Sequence, residues 1–159
     1  MAYNHQRARR YDEAIAQYQS ILELHPDFRM ASYQLAQTYT LKGMHAEALE
    51  EFQRLGGEWL TDHDSYLGFL YARMGRRDDA RRILDNLARA STQEYVDPWY
   101  SARVYAGLGD NDQAIAWLEK AYQNRSAMLA QLKVEGFFDP LRSDPRFQDL
   151  VARMGFPEH

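Results

Sequence analysis

The chain of 159 residues contains no cysteine. Without thiols it cannot form a disulfide framework, a thiolate zinc site or a thiol nucleophile. No run of 18 apolar residues is present, so the sequence offers no transmembrane helix. A basic surplus is also missing, because 19 lysine and arginine residues face 23 acidic ones and the net charge is −4. This balance argues against direct binding of nucleic acid, which normally requires a basic face.

Residues that favour β-strands are scarce. Val, Ile and Thr together number 12, whereas Ala alone numbers 20. Branched side chains are stiff at χ1 and favour strands, while Ala has the highest helix propensity. The composition therefore predicts an all-α protein.

A pattern of small and large residues repeats four times along the chain. A glycine is followed five residues later by an alanine in three places, and Arg9 stands in the glycine position of a fourth copy. The alanines are 34, 32 and 34 residues apart, and a large apolar residue follows each of them by four positions. The alanines are Ala14, Ala48, Ala80 and Ala114, and the glycines are Gly43, Gly75 and Gly109. Such a period indicates stacked helix pairs, each of which buries its apolar face only against its neighbours.

Each repeated residue has a physical reason. The four alanines, together with Ala36, Gly68 and Ala102, are small enough to let paired helices approach closely. The three glycines follow helix ends, where a left-handed backbone conformation costs glycine nothing.

The repeats resemble the tetratricopeptide repeat, a helix–turn–helix unit of 34 residues. Residues 11–26 are similar to its second helix and closing proline, and Leu67, Gly68 and Tyr71 match its first helix. The resemblance implies a right-handed superhelix of antiparallel helix pairs with a C-terminal capping helix. We expect one domain, with about three and a half units at 1–27, 28–60, 61–94 and 95–124 and a capping segment at 125–159.

Helix-breaking and helix-capping residues predict where the helices lie. Proline and glycine stop helices, and Asp97-Pro98 and Asp144-Pro145 are typical of an N-cap followed by the first helical residue. The repeat helices are expected near 2–9, 12–24, 28–41, 45–55, 62–74, 77–89, 98–108 and 111–124. A further short helix is expected near 126–133, a turn at 136–140 and a last helix at 146–154.

The tail and the start of the chain differ from the repeats. Residues 141–150 resemble the closing segment of repeats found at the C-terminus of bacterial regulators such as winged-helix activators, Ser/Thr kinases and nucleotide cyclases. The first unit has only half of its first helix, so we expect the chain to be part of a larger protein and its first repeat to be open to self-association. Met1 to His5 lack a signal-peptide pattern, and we expect a cytoplasmic location.

We find no catalytic, cofactor or metal motif. The five histidines include no pair four residues apart on one helix. Asp62, His63, Asp64 and Ser65 are neighbours in sequence, which is typical of a helix N-terminus and does not make a catalytic triad. The sequence therefore predicts a protein without enzymatic activity.

The first helix of each pair is expected to line the concave face of the solenoid. The residues expected on this groove are Tyr33, Gln37, Phe69, Arg73, Trp99 and Arg103, with Tyr3 and Arg7 at its end. Aromatic and arginine side chains are enriched at protein–protein hot spots, and the arginines favour an acidic partner. The aromatic residues could equally be core, and the groove could be empty, filled by a segment of the chain itself, or unused.

Two functions are consistent with this pattern. The first is a protein–protein interaction module that binds a peptide or partner helix in the concave groove. The second is a regulatory or sensor domain of a larger bacterial signalling protein.

Overall fold

A computed structural model describes residues 2–56 and 60–156, without the side chains of Arg7, Leu60 and Thr61. Those residues form nine α-helices and two 3-10 helices and no β-strand, so the fold is all-α. The α-helices are α1 (Ala2–Arg7), α2 (Tyr11–Leu24), α3 (Arg29–Lys42), α4 (His45–Leu55), α5 (Leu60–Arg73), α6 (Arg77–Ala90), α7 (Pro98–Leu108), α8 (Asn111–Gln123) and α9 (Pro145–Arg153). The 3-10 helices are Ala127–Gln131 and Gly136–Leu141.

The first eight helices pack as adjacent antiparallel pairs and form a helical solenoid. Each lies where the sequence predicts it, with ends within two residues of the expected ones. The 3-10 helix at Gly136–Leu141 replaces the simple turn expected there. None of the described helices combines the length and the apolar composition needed to cross a bilayer.

Small residues stand where paired helices approach most closely. All six alanines that the repeat pattern singles out are fully buried. An ideal Cβ on Gly68 would lie 2.7 Å from Cγ2 of Val104 and 3.0 Å from Cγ2 of Ile83. The repeated small residues are therefore a packing requirement of the helix pairs.

The turns between the paired helices use a left-handed residue. Gly43, Gly75 and Gly109 have φ angles of 85°, 76° and 73°, as the repeat pattern predicts. Arg9, which stands in the glycine position of the first unit, has a φ of 61°. The turn geometry is thus kept in the first unit although a side chain makes it less favourable.

Two aspartate–proline pairs begin helices as expected. The Asp97 carboxylate accepts a hydrogen bond from the Trp99 amide at 3.0 Å, and Pro98 is the first residue of α7. Asp144 caps α9 in the same way, with Pro145 following it. These caps fix where the chain enters α7 and α9.

Helix α9 covers the outer helix of the last pair. Its apolar residues Phe147 and Leu150 are buried. Arg153 forms an ion pair with Glu119 of α8, and Arg146 reaches Asp112 of α8 at 2.8 Å. The last repeat therefore does not expose the apolar face that a further repeat would cover.

We expect Gly68→Leu to lower the free energy of unfolding by about 1–3 kcal/mol, because it overpacks the contact with Val104. In a Val104→Ala background the same substitution should cost at least about 0.5 kcal/mol less, since the two sites are in contact. Urea unfolding of the four proteins measures both values. A Gly68→Leu variant as stable as the wild type would contradict the assigned helix packing.

Arg125 offers a test of backbone strain, because it has a φ of 53° just after α8. We expect Arg125→Gly to raise the free energy of unfolding by about 0.5–1 kcal/mol. This gain is the backbone strain that glycine relieves, minus the cost of the extra conformational entropy that glycine gives the unfolded chain. Arg125→Ala removes the same charge without relieving the strain and should bring no gain. Arg9→Gly should gain less than Arg125→Gly, because it also removes an ion pair with Asp139. Equal stabilities of the glycine and alanine variants at position 125 would contradict the explanation.

Candidate functional site: the inner surface and its open pocket

The first helices of the pairs, α1, α3, α5 and α7, share one face, which we call the inner surface. Residues 127–141, called here the closing segment, lie against it. The Phe137 ring meets the rings of Tyr66 and Phe69, with centroids 4.8 Å and 4.9 Å apart. The Phe138 ring meets Trp99 at 4.7 Å. The chain thus fills a large part of its own inner surface.

The closing segment is held mainly by its apolar side chains. Five of them are at most 1% exposed: Leu129, Leu132, Phe137, Phe138 and Leu141. Burying a large apolar side chain contributes about 1.5–3 kcal/mol, so together they stabilise the docked segment by roughly 10 kcal/mol before the cost of ordering the chain. The docked segment is therefore a stable part of the fold.

Polar contacts tie the closing segment to both ends of the solenoid. Immediately before its first residue, the Ser126 hydroxyl donates to the Asp97 carboxylate at 2.6 Å. Further along, the segment contacts the first unit. Two hydrogen bonds make this connection, from the Tyr3 hydroxyl to Gln131 Oε1 at 3.3 Å and from Arg9 Nη2 to Asp139 Oδ1 at 2.6 Å. The segment thereby links the last repeat to the first.

A buried arginine lies beneath the closing segment. Arg103 Nη1 donates to Asp62 Oδ1 at 2.9 Å and to the Ser65 hydroxyl at 2.6 Å. Its guanidinium carbon is 3.6 Å from the centroid of the Tyr66 ring and 5.6 Å from that of Phe137. Burial alone would lower the pKa of Arg103, but Tyr66 and Asp62 beside it raise the pKa above its ordinary value. The arginine is thus a charged structural residue, neutralised by Asp62.

The tyrosines around this ion pair stay protonated. Burial is the main cause that raises the pKa of Tyr33, and the neighbouring Asp62 carboxylate raises it further. Burial likewise raises the pKa of Tyr66 well above its ordinary value, against the opposing effect of Arg103. The Tyr33 hydroxyl donates to Asp62 Oδ2 at 2.6 Å. Both phenols are therefore neutral at physiological pH.

The structure buries most of the residues that the sequence assigns to the groove. Trp99 and Arg103 are fully buried, and Tyr33, Gln37 and Phe69 are buried to more than nine tenths. Phe69, Trp99 and Arg103 lie against the closing segment or directly beneath it. Arg73 is exposed at the end of α5. Tyr33 and Gln37 border an open space between the closing segment and the inner helices.

That open space is a cavity of about 220 Å³, which we call the open pocket. It lies between the closing segment and the first three inner helices. The helix side contributes Tyr3, Gln6, Tyr33, Gln34, Gln37, Leu41, Asp62 and Tyr66. The closing segment contributes Met128, Gln131, Val134, Glu135 and Gly136. The part of the inner surface that the closing segment leaves uncovered is therefore strongly polar.

Comparison with known families agrees with this architecture. Three models described as tetratricopeptide repeat match residues 1–57, 63–86 and 101–127, which together make up more than half of the chain. The chain is a tetratricopeptide repeat protein. Tetratricopeptide repeats generally mediate protein–protein interactions and are typically non-catalytic. No curated protein and no solved structure matches the chain.

In this tetratricopeptide repeat protein the sequence reasoning missed several residues of the pocket. Asp62 and Tyr66 precede Phe69 and Arg73 on the same stripe of α5, at helical spacings of seven and three residues before Phe69. Extending that stripe towards the N-terminus would have included them. Gln131 and Glu135 had no such signal, because they lie outside the repeats and reach the pocket only through the docking of the closing segment.

Mutation of Asp62 should lower the free energy of unfolding more than mutation of Arg103. Removing one partner of a buried ion pair costs about 3–5 kcal/mol, so we expect that loss for Asp62→Ala, which strands a fully buried guanidinium. Arg103→Met should cost only about 1–2 kcal/mol, since the Asp62 side chain is 39% exposed and stays hydrated while the lost cation–π contact is modest. Urea unfolding distinguishes the two. An Arg103→Met variant less stable than Asp62→Ala would contradict this account of the pair.

Proposed function

We propose that this protein is a non-catalytic protein–protein interaction module that binds a peptide or partner helix at the open end of its concave groove. The observation that carries the proposal is the division of the inner surface. Its C-terminal part is filled by the closing segment, and its N-terminal part opens into the polar pocket between α1, α3 and the closing segment. A partner is therefore expected beside the closing segment and in contact with it.

The closing segment supports the proposal by its own mode of binding. It lies on the inner surface as short 3-10 turns and anchors itself with two adjacent aromatic side chains. The same surface thus accommodates a peptide in short 3-10 turns, without an α-helix or a strand. Because the docked segment is so strongly buried, we propose that a partner adds to it and does not displace it.

On this basis we propose different roles for the six groove residues that the sequence alone assigns to partner binding. Tyr33 and Gln37 line the pocket and could touch a partner directly. Phe69, Trp99 and Arg103 would act by holding the closing segment in place. Arg73 does not border the pocket.

Binding at the open pocket is tested by closing its mouth. Val134 borders the pocket with 37% of its surface exposed, so Val134→Trp should cover the opening without disturbing the core. Ala130→Trp is the matched control, since Ala130 is an exposed residue of the same segment that does not border the pocket. Peptides are selected from a random library on the wild-type protein, and their affinities are measured by fluorescence polarisation.

We expect selected peptides to bind Val134→Trp at least about tenfold more weakly than the wild type, and Ala130→Trp unchanged. Peptides that bind both variants equally would place the interaction elsewhere. A library that yields no binding peptide would reject peptide recognition in the groove. The regulatory role within a larger bacterial protein stays a prediction from the resemblance of residues 141–150.

A further inference from the structure

We propose that the open pocket binds an uncharged carboxamide, the side chain of an asparagine or glutamine presented by a peptide of the partner. This inference rests on the proposed function, because it names the side chain that would enter the same pocket. Three features carry it: glutamine amides without hydrogen-bond partners, charged groups that are already engaged, and a volume that suits one side chain.

Four glutamines line the open pocket, and three of them have unused hydrogen-bonding capacity. Gln37 is 5% exposed, and its amide forms no hydrogen bond with another described residue. Gln6 is 7% exposed, and neither its Oε1 nor that of Gln34 has a donor among the described residues. Buried polar side chains normally have hydrogen-bond partners. These three amides therefore have bonds to offer a ligand.

The pocket wall offers donors as well as acceptors. Each glutamine amide carries two N–H donors and a carbonyl acceptor, and a half-turn of the amide exchanges their positions. The Tyr66 hydroxyl, which also donates and accepts, lines the pocket without a hydrogen-bond partner among the described residues. Gln131 accepts a hydrogen bond from Tyr3, and its Nε2 donates to no described residue. The wall therefore suits a neutral ligand that both donates and accepts, as an amide does.

The charged groups at the pocket are already engaged. Asp62 accepts hydrogen bonds from Arg103 and from the Tyr33 hydroxyl. Glu135 also acts on Arg103, since both carboxylates raise the pKa of that guanidinium. Arg103, which the sequence assigns to an acidic partner, is thus paired inside the protein. A charged ligand would lose its hydration here and meet groups that already have partners.

A primary carboxamide matches this wall better than a peptide bond or a hydroxyl. One of its N–H groups lies on the same edge as its C=O group, so it pairs with a glutamine amide through two parallel hydrogen bonds. Its second N–H reaches a further acceptor. The N–H and C=O of a trans peptide bond point to opposite sides, and a hydroxyl has only one donor.

The size of the pocket and its apolar residues suit a short aliphatic stem. Its volume of about 220 Å³ is below the usual range of about 300–1,000 Å³ for drug-sized ligands, so one side chain fits better than a whole small molecule. Leu41, Met128 and Val134 supply apolar surface beside the amides. The methylene groups of asparagine or glutamine can pack there while the carboxamide reaches the glutamines.

The test uses the purified chain and blocked pentapeptides that differ only at the central residue. The probes are acetyl-Ala-Ala-X-Ala-Ala-N-methylamide, which has no primary carboxamide outside X, with glutamine, asparagine, glutamate, lysine, norleucine or alanine as X. Titration is followed by NMR. We expect the glutamine or the asparagine peptide to bind at least about tenfold more tightly than the other four, because a site built to hydrogen-bond a group rejects analogues that lack it. Raising the salt from 50 to 500 mM should change this affinity less than twofold, since no charge is recognised.

The other probes give the results that would overturn the inference. Equal binding of the alanine peptide would show that the glutamines hold the main chain. Tighter binding of the lysine or glutamate peptide would show that the pocket selects a charge. If no pentapeptide binds, the pocket is not a side-chain site.

A near-isosteric variant tests the role of the pocket amides. Gln37→Met removes an amide from the wall and keeps the length of the side chain. Gln53→Met is the matched control, because Gln53 is exposed on α4 and does not border the pocket. We expect the preference for the glutamine peptide over the norleucine peptide to fall below about threefold in Gln37→Met and to stay at tenfold or more in Gln53→Met. This preference compares two peptides on one variant, so a general loss of stability does not change it, and equal preferences in the two variants would contradict the assignment.

A second pair of variants tests the site without removing any pocket amide. Val134→Trp covers the mouth of the pocket and should weaken binding of the glutamine peptide at least fivefold. Ala130→Trp, its control, adds the same ring away from the pocket and should have less than a twofold effect. Equal affinity of the two variants would reject the pocket as the carboxamide site.

The outcomes distinguish this inference from the proposed function. If library-selected peptides bind, lose affinity with Val134→Trp and show no preference for asparagine or glutamine, the interaction module stands and the carboxamide site is wrong. If neither the library nor the pentapeptides bind at the pocket, both proposals are wrong.

Discussion

Phe137 and Phe138 are consecutive residues whose side chains enter different parts of the same core. Phe137 packs against α5 through Tyr66 and Phe69, and Phe138 packs against Trp99 of α7. Side chains of a 3-10 helix diverge by about a third of a turn from one residue to the next, which lets neighbours contact two helices at once. This double insertion holds the closing segment on the inner surface, and the environments of Arg103 and of the open pocket both depend on it.

Arg103 shows how the docked segment changes the role of a residue. On an uncovered groove its guanidinium would be solvated and available to a ligand carboxylate. Under Phe137 it is fully buried, and its charge is compensated by Asp62. The partial exposure of Asp62 keeps part of this pair hydrated, which lessens the desolvation that makes wholly buried ion pairs costly. A residue type that is common at binding hot spots has become part of the core.

The repeat helices could be predicted from the sequence because their signals are local. Gly43, Gly75 and Gly109 mark left-handed turns, Asp97-Pro98 marks a helix start, and the buried alanines recur at a fixed spacing. Five of the thirteen residues that line the open pocket lie outside the repeats and could not be predicted in this way. Tyr33 and Gln37 were assigned to the groove and border the pocket, whereas Gln131 and Glu135 come from beyond the repeats and were missed. Contacts over more than 90 residues, such as Tyr3 with Gln131, leave no periodic trace in the chain.

The sequence by itself determined an all-α chain of paired helices, because helix propensity, turn residues and small-residue spacing act over a few residues at a time. It also supplied the apolar side chains of the tail, without indicating where they would be buried. Only the tertiary structure decided that the closing segment fills the inner surface, that Trp99 and Arg103 lie beneath it, and that a polar pocket stays open beside α1. The physical reason is that apolar burial is non-directional, so the tail settles on whichever apolar surface the assembled helices leave exposed.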